Sequence, residues 1–104
     1  MVAEVPFVDV LQTLSDPSIP LTVGEWEEFG NPNEKELHEY MSSYCPVTNV
    51  KPHRQFPSML ITGGLHDPRV GYWEPLKWAA NIRVRLVCPQ YKLFLGHEIT
   101  YHAN

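Results

Sequence analysis

Short apolar runs alternate with segments of helical periodicity along this chain, and this alternation constrains its fold more than any other feature. The β-branched stretch 2–10 predicts a strand that ends near Pro6, and residues 58–62 predict a second strand. Residues 33–44 and 72–83 predict helices, because apolar side chains recur in each at the spacing of one helix face. Strands joined by helical crossovers pair in parallel, so the sequence predicts an α/β fold with a parallel sheet.

Two further segments show no clear strand or helix periodicity over their whole length. Residues 11–33 carry three prolines and two glycines and predict a long irregular loop, which is uncommon in a compact domain unless it is functional. Residues 84–96 predict one or two further short strands. Because parallel sheets normally need helices on both faces and more strands alongside, we expect the chain to form part of a larger sheet.

Composition and charge argue against several classes of function. The chain has 104 residues and a net charge of −4, so it offers no basic surface to nucleic acid. We expect neither a membrane span nor a signal peptide, because no suitable apolar run is present. Cys45 and Cys88 lack the spacing of a zinc site or a disulfide framework, which favours a reducing, cytoplasmic location. His66 has no compact metal-ligand spacing to His97 or His102, so we predict no metal and no cofactor.

The second apolar run ends on Gly63 and Gly64, and Asp67 follows. In open α/β sheets, functional groups gather beyond the carboxyl ends of strands. Pro68 restrains the backbone of Asp67, and a carboxylate fixed there can orient a histidine imidazole, the third role in a hydrolase triad. The alternative is that Asp67 caps a turn or pairs with Arg69, because Asp-Pro turns are frequent.

The string "GEWEEFG" (24–30) places Glu25 and Glu27 two residues apart. In an extended segment their side chains would point the same way. Two convergent carboxylates are a suitable receptor for a guanidinium or ammonium group. The alternative is a solvated acidic loop, which is what runs of acidic residues usually are.

No nucleophile accompanies these groups. The chain contains no G-x-S-x-G elbow, and its serines lie in predicted loop, helix or pre-strand positions. Cys45 precedes Pro46 and has no obvious base nearby in the sequence. From the residues alone, Asp67 therefore stays either an orienting acid or a turn cap, and no nucleophile that it could help to activate is identified.

Long strings of the chain resemble a known family. They are "VPFVDVLQTLSDPSIPLTVGEWEEFGNPNEKELHEYMSSYCPVTNV" and "FPSMLITGGLHDPRVGYWEPLKWAANIR". Both resemble the catalytic domain of the oligopeptidase B group, in the prolyl oligopeptidase family of serine peptidases. The family joins an α/β-hydrolase domain to a seven-bladed β-propeller. The resemblance thus implies a partial α/β-hydrolase domain over residues 1–83, followed by a divergent C-terminal tail over 84–104.

The resemblance also implies roles for individual residues. Asp67 falls on the triad acid of the family's "GL-x-D" motif, and Glu25 and Glu27 fall on the acidic pair that binds the substrate's Arg or Lys side chain. Arg69 matches an arginine that contacts the substrate backbone. His97 follows a glycine, as the family's triad histidine does, although the residues after it depart from the family pattern.

The function implied is that of part of a serine-type oligopeptidase that cleaves peptides after Arg or Lys. Since the serine is absent from this sequence, we expect the chain to be inactive alone and to need the missing parts of the catalytic domain. One alternative is a non-catalytic remnant that binds basic peptides or another chain. A third is an unstable gene product without function.

Overall fold

The computed structural model describes residues 1–52 and 56–85, together with the backbone of 93–97. Three strands lie in these parts of the chain: β1 (Val2–Glu4), β2 (Met59–Gly63) and β3 (Leu93–His97). The helices are α1 (Val10–Ser15), α2 (Thr22–Phe29), α3 (Lys35–Tyr44) and α4 (Trp73–Arg85).

The strands form one parallel sheet in the order β1-β2-β3. Leu60 of β2 pairs with Val2, and Gly63 at the end of β2 pairs with His97. The predicted α/β class with parallel strands is therefore confirmed. Because β2 and β3 run in the same direction, the loop after β2 leaves the sheet at the edge where β3 ends.

The hydrophobic core lies between the sheet and α4. Its buried members come from β2, from α4 and from the segment before β2: Val50, Met59, Ile61, Ala79 and Ile82. Burial of an aliphatic side chain of this size stabilises a fold by about 1.5–3 kcal/mol. Packing against this core fixes α4 on one face of the sheet.

The opposite face of the sheet is exposed at its apolar positions Leu60 and Val2, whereas Thr62 on the same face is buried. Leu60 is 39% exposed, and its partner Val2 is 61% exposed. Parallel sheets are normally covered on both faces, because both carry apolar side chains. The exposed face is what we expect of part of a larger sheet.

The start of the chain differs from the predicted strand over 2–10. β1 ends at Glu4, and α1 already begins at Val10. The Val5 amide still donates to the carbonyl of Thr62 at 3.2 Å. Pro6 has no N–H with which to continue the ladder, so the chain leaves the sheet there.

The prediction of an irregular loop over 11–33 is wrong, because this segment contains most of α1 and all of α2. Tertiary hydrogen bonds join the two helices: the Trp26 indole Nε1 donates to the Leu14 carbonyl at 2.8 Å, and Thr22 Oγ1 donates to the Thr13 carbonyl at 3.4 Å. Short helices derive most of their stability from such contacts, which a sequence pattern does not reveal.

The C-terminal part is described incompletely. α4 continues to Arg85, two residues past its predicted end, and β3 provides a strand at the end of the segment 84–96. The division of the chain at residue 83 stays a prediction. Two residues considered above lie outside the described residues: Cys88 and His102. Of the helices that the structure describes, none has the length and apolar character needed to cross a membrane.

Glu74, in the first turn of α4, is fully buried and joins α4 to the chain around α1. Its Oε1 accepts hydrogen bonds from the amides of Val8 at 3.2 Å and Asp9 at 2.8 Å. Its Oε2 accepts a bond from Thr13 Oγ1 at 3.0 Å. One side chain thus satisfies three buried donors from a segment more than sixty residues away in sequence.

The environment of this carboxyl group shifts its pKa upward. Burial is the largest cause, and the charge of Asp9 adds to it, while the three donated hydrogen bonds oppose it. Asp9 is itself paired with the Lys77 ammonium at 2.7 Å. The net result is a pKa for Glu74 raised above the ordinary value of 4.5.

Close packing between the end of β2 and the start of α4 depends on Gly63. A Cβ atom built on Gly63 would lie 2.8 Å from Cγ of Pro75, closer than real carbon atoms approach. Glycine at this position therefore lets the first turn of α4 lie directly against the strand end.

We predict that Glu74→Gln changes the pH dependence of stability. Above pH 4.5 the unfolded chain releases the Glu74 proton before the folded chain does, so the stability that Glu74 contributes falls as pH rises through its raised pKa. Glutamine does not titrate, and it can keep the same contacts through Oε1 and Nε2. Urea unfolding between about pH 4 and about pH 7 should show the variant gaining on the parent as pH rises. The exposed Glu36→Gln is the control, and parallel curves for Glu74→Gln and the parent would contradict the prediction.

We also predict that Gly63→Ala destabilises the fold by about 1–3 kcal/mol, because the added methyl group overlaps Pro75. Gly24→Ala is the matched control, since nothing lies within 4 Å of a Cβ at that helical position. Alanine there should stabilise the fold by about 0.5–1 kcal/mol. Chemical unfolding of both variants measures the difference, and equal effects of the two substitutions would refute the packing argument.

Candidate active site

The loop that carries Asp67 turns back on itself directly after β2. The Asp67 amide donates to the carbonyl of Gly64 at 3.3 Å. A Cβ atom on Gly64 would lie only 3.2 Å from the Cβ of Asp67. The second glycine therefore makes room for the turn, just as Gly63 makes room for α4.

The carboxylate of Asp67 is held by the loop that follows it. Its Oδ1 accepts hydrogen bonds from the amides of Arg69 at 2.8 Å and Val70 at 2.9 Å. Asp67 thus caps a turn, as one of the two readings of the sequence predicted. Capping uses one carboxylate oxygen, and Oδ2 has no hydrogen-bond partner among the described residues, so the same side chain can also orient another group.

Two neighbouring polar side chains of the loop lie in solvent. His66 and Arg69 are exposed, and within the described residues the Arg69 guanidinium forms no ion pair with Asp67. The contact between these two residues is therefore the backbone hydrogen bond alone. Across residues 1–52 and 56–85 no group of three or more potential ligands is arranged to hold a metal ion.

Glu25 and Glu27 lie on α2, so the extended geometry that would align their side chains is wrong. Successive helical residues are rotated by about 100°, which places the two carboxylates on flanks about 160° apart. Trp26, between them, is turned inward by its bond to the Leu14 carbonyl. Glu25 is half-buried in the first turn of the helix, and Glu27 is exposed.

His97 is the last residue of β3, and its backbone lies beside Gly63 at the end of β2. The Asp67 loop begins immediately after Gly63. The backbone of His97 and the start of this loop therefore share one edge of the sheet.

Glu74, which the sequence analysis did not single out, joins the start of α4 to the segment that leads into α1. Acidic residues are common in the first turn of a helix, where they favour the positive end of the helix dipole and are usually exposed. Neither its residue type nor its position distinguished Glu74 from such a surface residue. Its role depends on burial, which only the folded structure defines.

Comparison with known proteins shows which family the chain belongs to. The sequence model of the "Prolyl oligopeptidase family" matches residues 1–98. "Protease 2" of Moraxella lacunata is 53% identical over 83 residues, which are 80% of this chain and 12% of that protein. The chain thus spans a small part of the length of this curated relative.

Two solved structures are similar over most of the chain. Oligopeptidase B from Leishmania major superimposes with a TM-score of 0.84 at 49% identity, over 93% of this chain and 13% of that one. Oligopeptidase B from Trypanosoma brucei, solved with covalently bound antipain, gives a TM-score of 0.83 at 52% identity over the same shares. The chain therefore belongs to the prolyl oligopeptidase family of serine peptidases, with oligopeptidase B among its similar relatives.

Proposed function

We propose that this chain carries the acid of a Ser-Asp-His triad and the receptor for a basic substrate side chain, in a peptidase that cleaves after Arg or Lys. The observation that carries the proposal is the setting of Asp67. Its carboxylate lies just beyond the carboxyl end of β2, with Oδ1 held by two backbone amides. A triad acid needs this fixed position to hold an imidazole in the correct tautomer and to stabilise the imidazolium that forms.

We assign two other members of the proposed site from their places relative to Asp67. The backbone of His97 ends the neighbouring strand at the same edge, which makes His97 the proposed partner of Asp67. Arg69 is exposed in the same loop, and we assign it contacts with the substrate backbone. We assign the serine nucleophile to another part of the peptidase, because no G-x-S-x-G elbow occurs among these 104 residues.

The helical setting of Glu25 and Glu27 suggests how a cation is received. On a helix, Gly24 lies on the outer face between the two flanks that carry these carboxylates. Gly24 has no side chain, and the space around it is open. A guanidinium or ammonium group above Gly24 is within reach of both flexible glutamate side chains, and each contact is a charge-assisted hydrogen bond.

Binding of an arginine ligand tests this receptor. We predict that acetyl-Gly-Arg-amide binds the chain in a calorimetric or NMR titration and that the isosteric citrulline peptide does not. Glu25→Gln combined with Glu27→Gln should weaken binding about tenfold or more, because hydrogen bonds to a charged group are lost. Glu36→Gln combined with Glu39→Gln removes the same charge from α3 and should leave the affinity nearly unchanged. Equal losses in both double variants would indicate non-specific attraction and contradict the receptor.

Turnover tests the assignment of the nucleophile. We predict that the purified chain hydrolyses no arginine ester above background, because covalent acyl transfer has no starting group. The reaction is followed by the absorbance of the released alcohol, with trypsin as the positive control. Hydrolysis that persists through repeated chromatography and is abolished by Asp67→Ala would show that the nucleophile lies within these residues.

A further inference from the structure

A path of buried hydrogen bonds runs from α4 through α1 to the start of α2. Glu74 Oε2 accepts from Thr13 Oγ1 at 3.0 Å, and the Thr13 carbonyl accepts from Thr22 Oγ1 at 3.4 Å. The three residues are only 0%, 4% and 1% exposed, respectively. Hydrogen bonds in such a dry setting are costly to break, because the separated groups find no water.

One end of this path closes the loop that carries Asp67. The Glu74 amide donates to the Gly71 carbonyl at 3.0 Å, at the point where the loop enters α4. The other end of the loop leaves β2 at Gly63, which lies against Pro75, the residue after Glu74. Both ends of the loop are therefore held at the first turn of α4.

The far end of the path sets the position of α2. Thr22 is the first residue of this helix, and Trp26 in its next turn bonds to the Leu14 carbonyl. The helix that carries Glu25 is thus attached to residues 13 and 14 of α1. Thr13 is in turn attached to Glu74.

We propose that Glu74 is a positioning residue that holds the Asp67 loop and α2 in one fixed arrangement. This inference rests on the proposed function, in which the loop supplies the triad acid and α2 supplies the receptor for the basic side chain. The enzyme must hold the scissile bond of a substrate residue and the side chain of the same residue at the same time. The Asp67 loop and α2 therefore need a constant separation. Glu74 touches neither substrate nor the reacting atoms, and it acts through Thr13 and through the loop.

The chemistry of the site distinguishes conservative from disruptive variants. Glutamine retains an oxygen for the amides of Val8 and Asp9, and its Nε2 can donate to the Thr13 hydroxyl. Alanine leaves all three donors without a partner. Thr13→Val removes only the hydroxyl, whereas Thr13→Ser keeps it, so this pair tests the path without touching Glu74.

Amide hydrogen exchange, followed by NMR on the full chain, measures the coupling. In Glu74→Ala we expect exchange about tenfold faster both in the Asp67 loop, at Arg69 and Val70, and in α2, at Glu25. The exchange rate of the Leu60 amide, in the sheet, should change no more than the loss of global stability in the variant requires. Glu74→Gln should restore both regions to within about twofold of the parent rates.

A general loss of stability gives a different pattern. Ile82→Ala empties a buried site in the core between α4 and the sheet, which contains none of Glu74, Thr13 and Thr22, and should accelerate exchange throughout the fold. If Glu74→Ala gives that uniform pattern, or accelerates only one of the two regions, the positioning role is overturned. If Glu74→Ala does not fold, Thr13→Val and Thr13→Ser are compared instead. Faster exchange in both regions of Thr13→Val, but not of Thr13→Ser, supports the positioning role, and equal exchange in the two variants overturns it.

The exchange measurement uses no ligand, so it stands apart from the proposed function. If the parent chain does not bind the arginine peptide but Glu74→Ala accelerates exchange in both regions, the receptor is rejected and the coupling is retained. A parent chain that binds the peptide, with Glu74→Ala binding about tenfold more weakly and Glu74→Gln binding normally, supports both. Normal binding by a folded Glu74→Ala would overturn the positioning role alone.

Discussion

A carboxyl group enclosed where α4 begins is the constraint on which the described fold depends. Glu74 has no exposed surface, yet it satisfies two backbone amides and a hydroxyl group from a distant part of the chain. A buried carboxyl group is costly unless its hydrogen bonds are complete, so α4 and the segment around α1 must meet in one geometry. The Asp67 loop ends at this junction, and α2 is attached to it through α1. In the positioning role that we propose, Glu74 therefore holds both elements of the candidate active site through its buried hydrogen bonds.

Sequence periodicity predicts those strands and helices whose apolar spacing is visible within the segment itself. β2 is a compact apolar run, and α3 and α4 repeat apolar residues at helical spacing, so the sequence alone predicts the parallel α/β class. The helices within 11–33 were missed because their stability is not local. It depends on the bonds of Trp26 and Thr22 to carbonyl groups of α1, and the prolines nearby suggested an irregular loop instead.

One part of the candidate site could be predicted from the sequence: the place of Asp67, which depends only on where the preceding strand ends. Asp67 follows two glycines at a strand end: Gly63 lets Pro75 approach the strand, and Gly64 lies close to Asp67 in the turn. The sequence singles out Glu25 and Glu27 as a pair, but the extended geometry that it predicts for them is wrong, because both residues lie on α2. Glu74 gave no signal at all, since its importance comes from burial among partners that are distant in sequence.

The most direct measurement is a titration of the Glu74 carboxyl carbon by carbon-13 NMR in the intact chain. The structure predicts a pKa above the ordinary value of 4.5, with the amide signals of Val8 and Asp9 shifting at the same midpoint, because both donate to this carboxyl group. A Glu74 carboxyl group that titrates at its ordinary pKa, without any response from those two amides, would contradict the account.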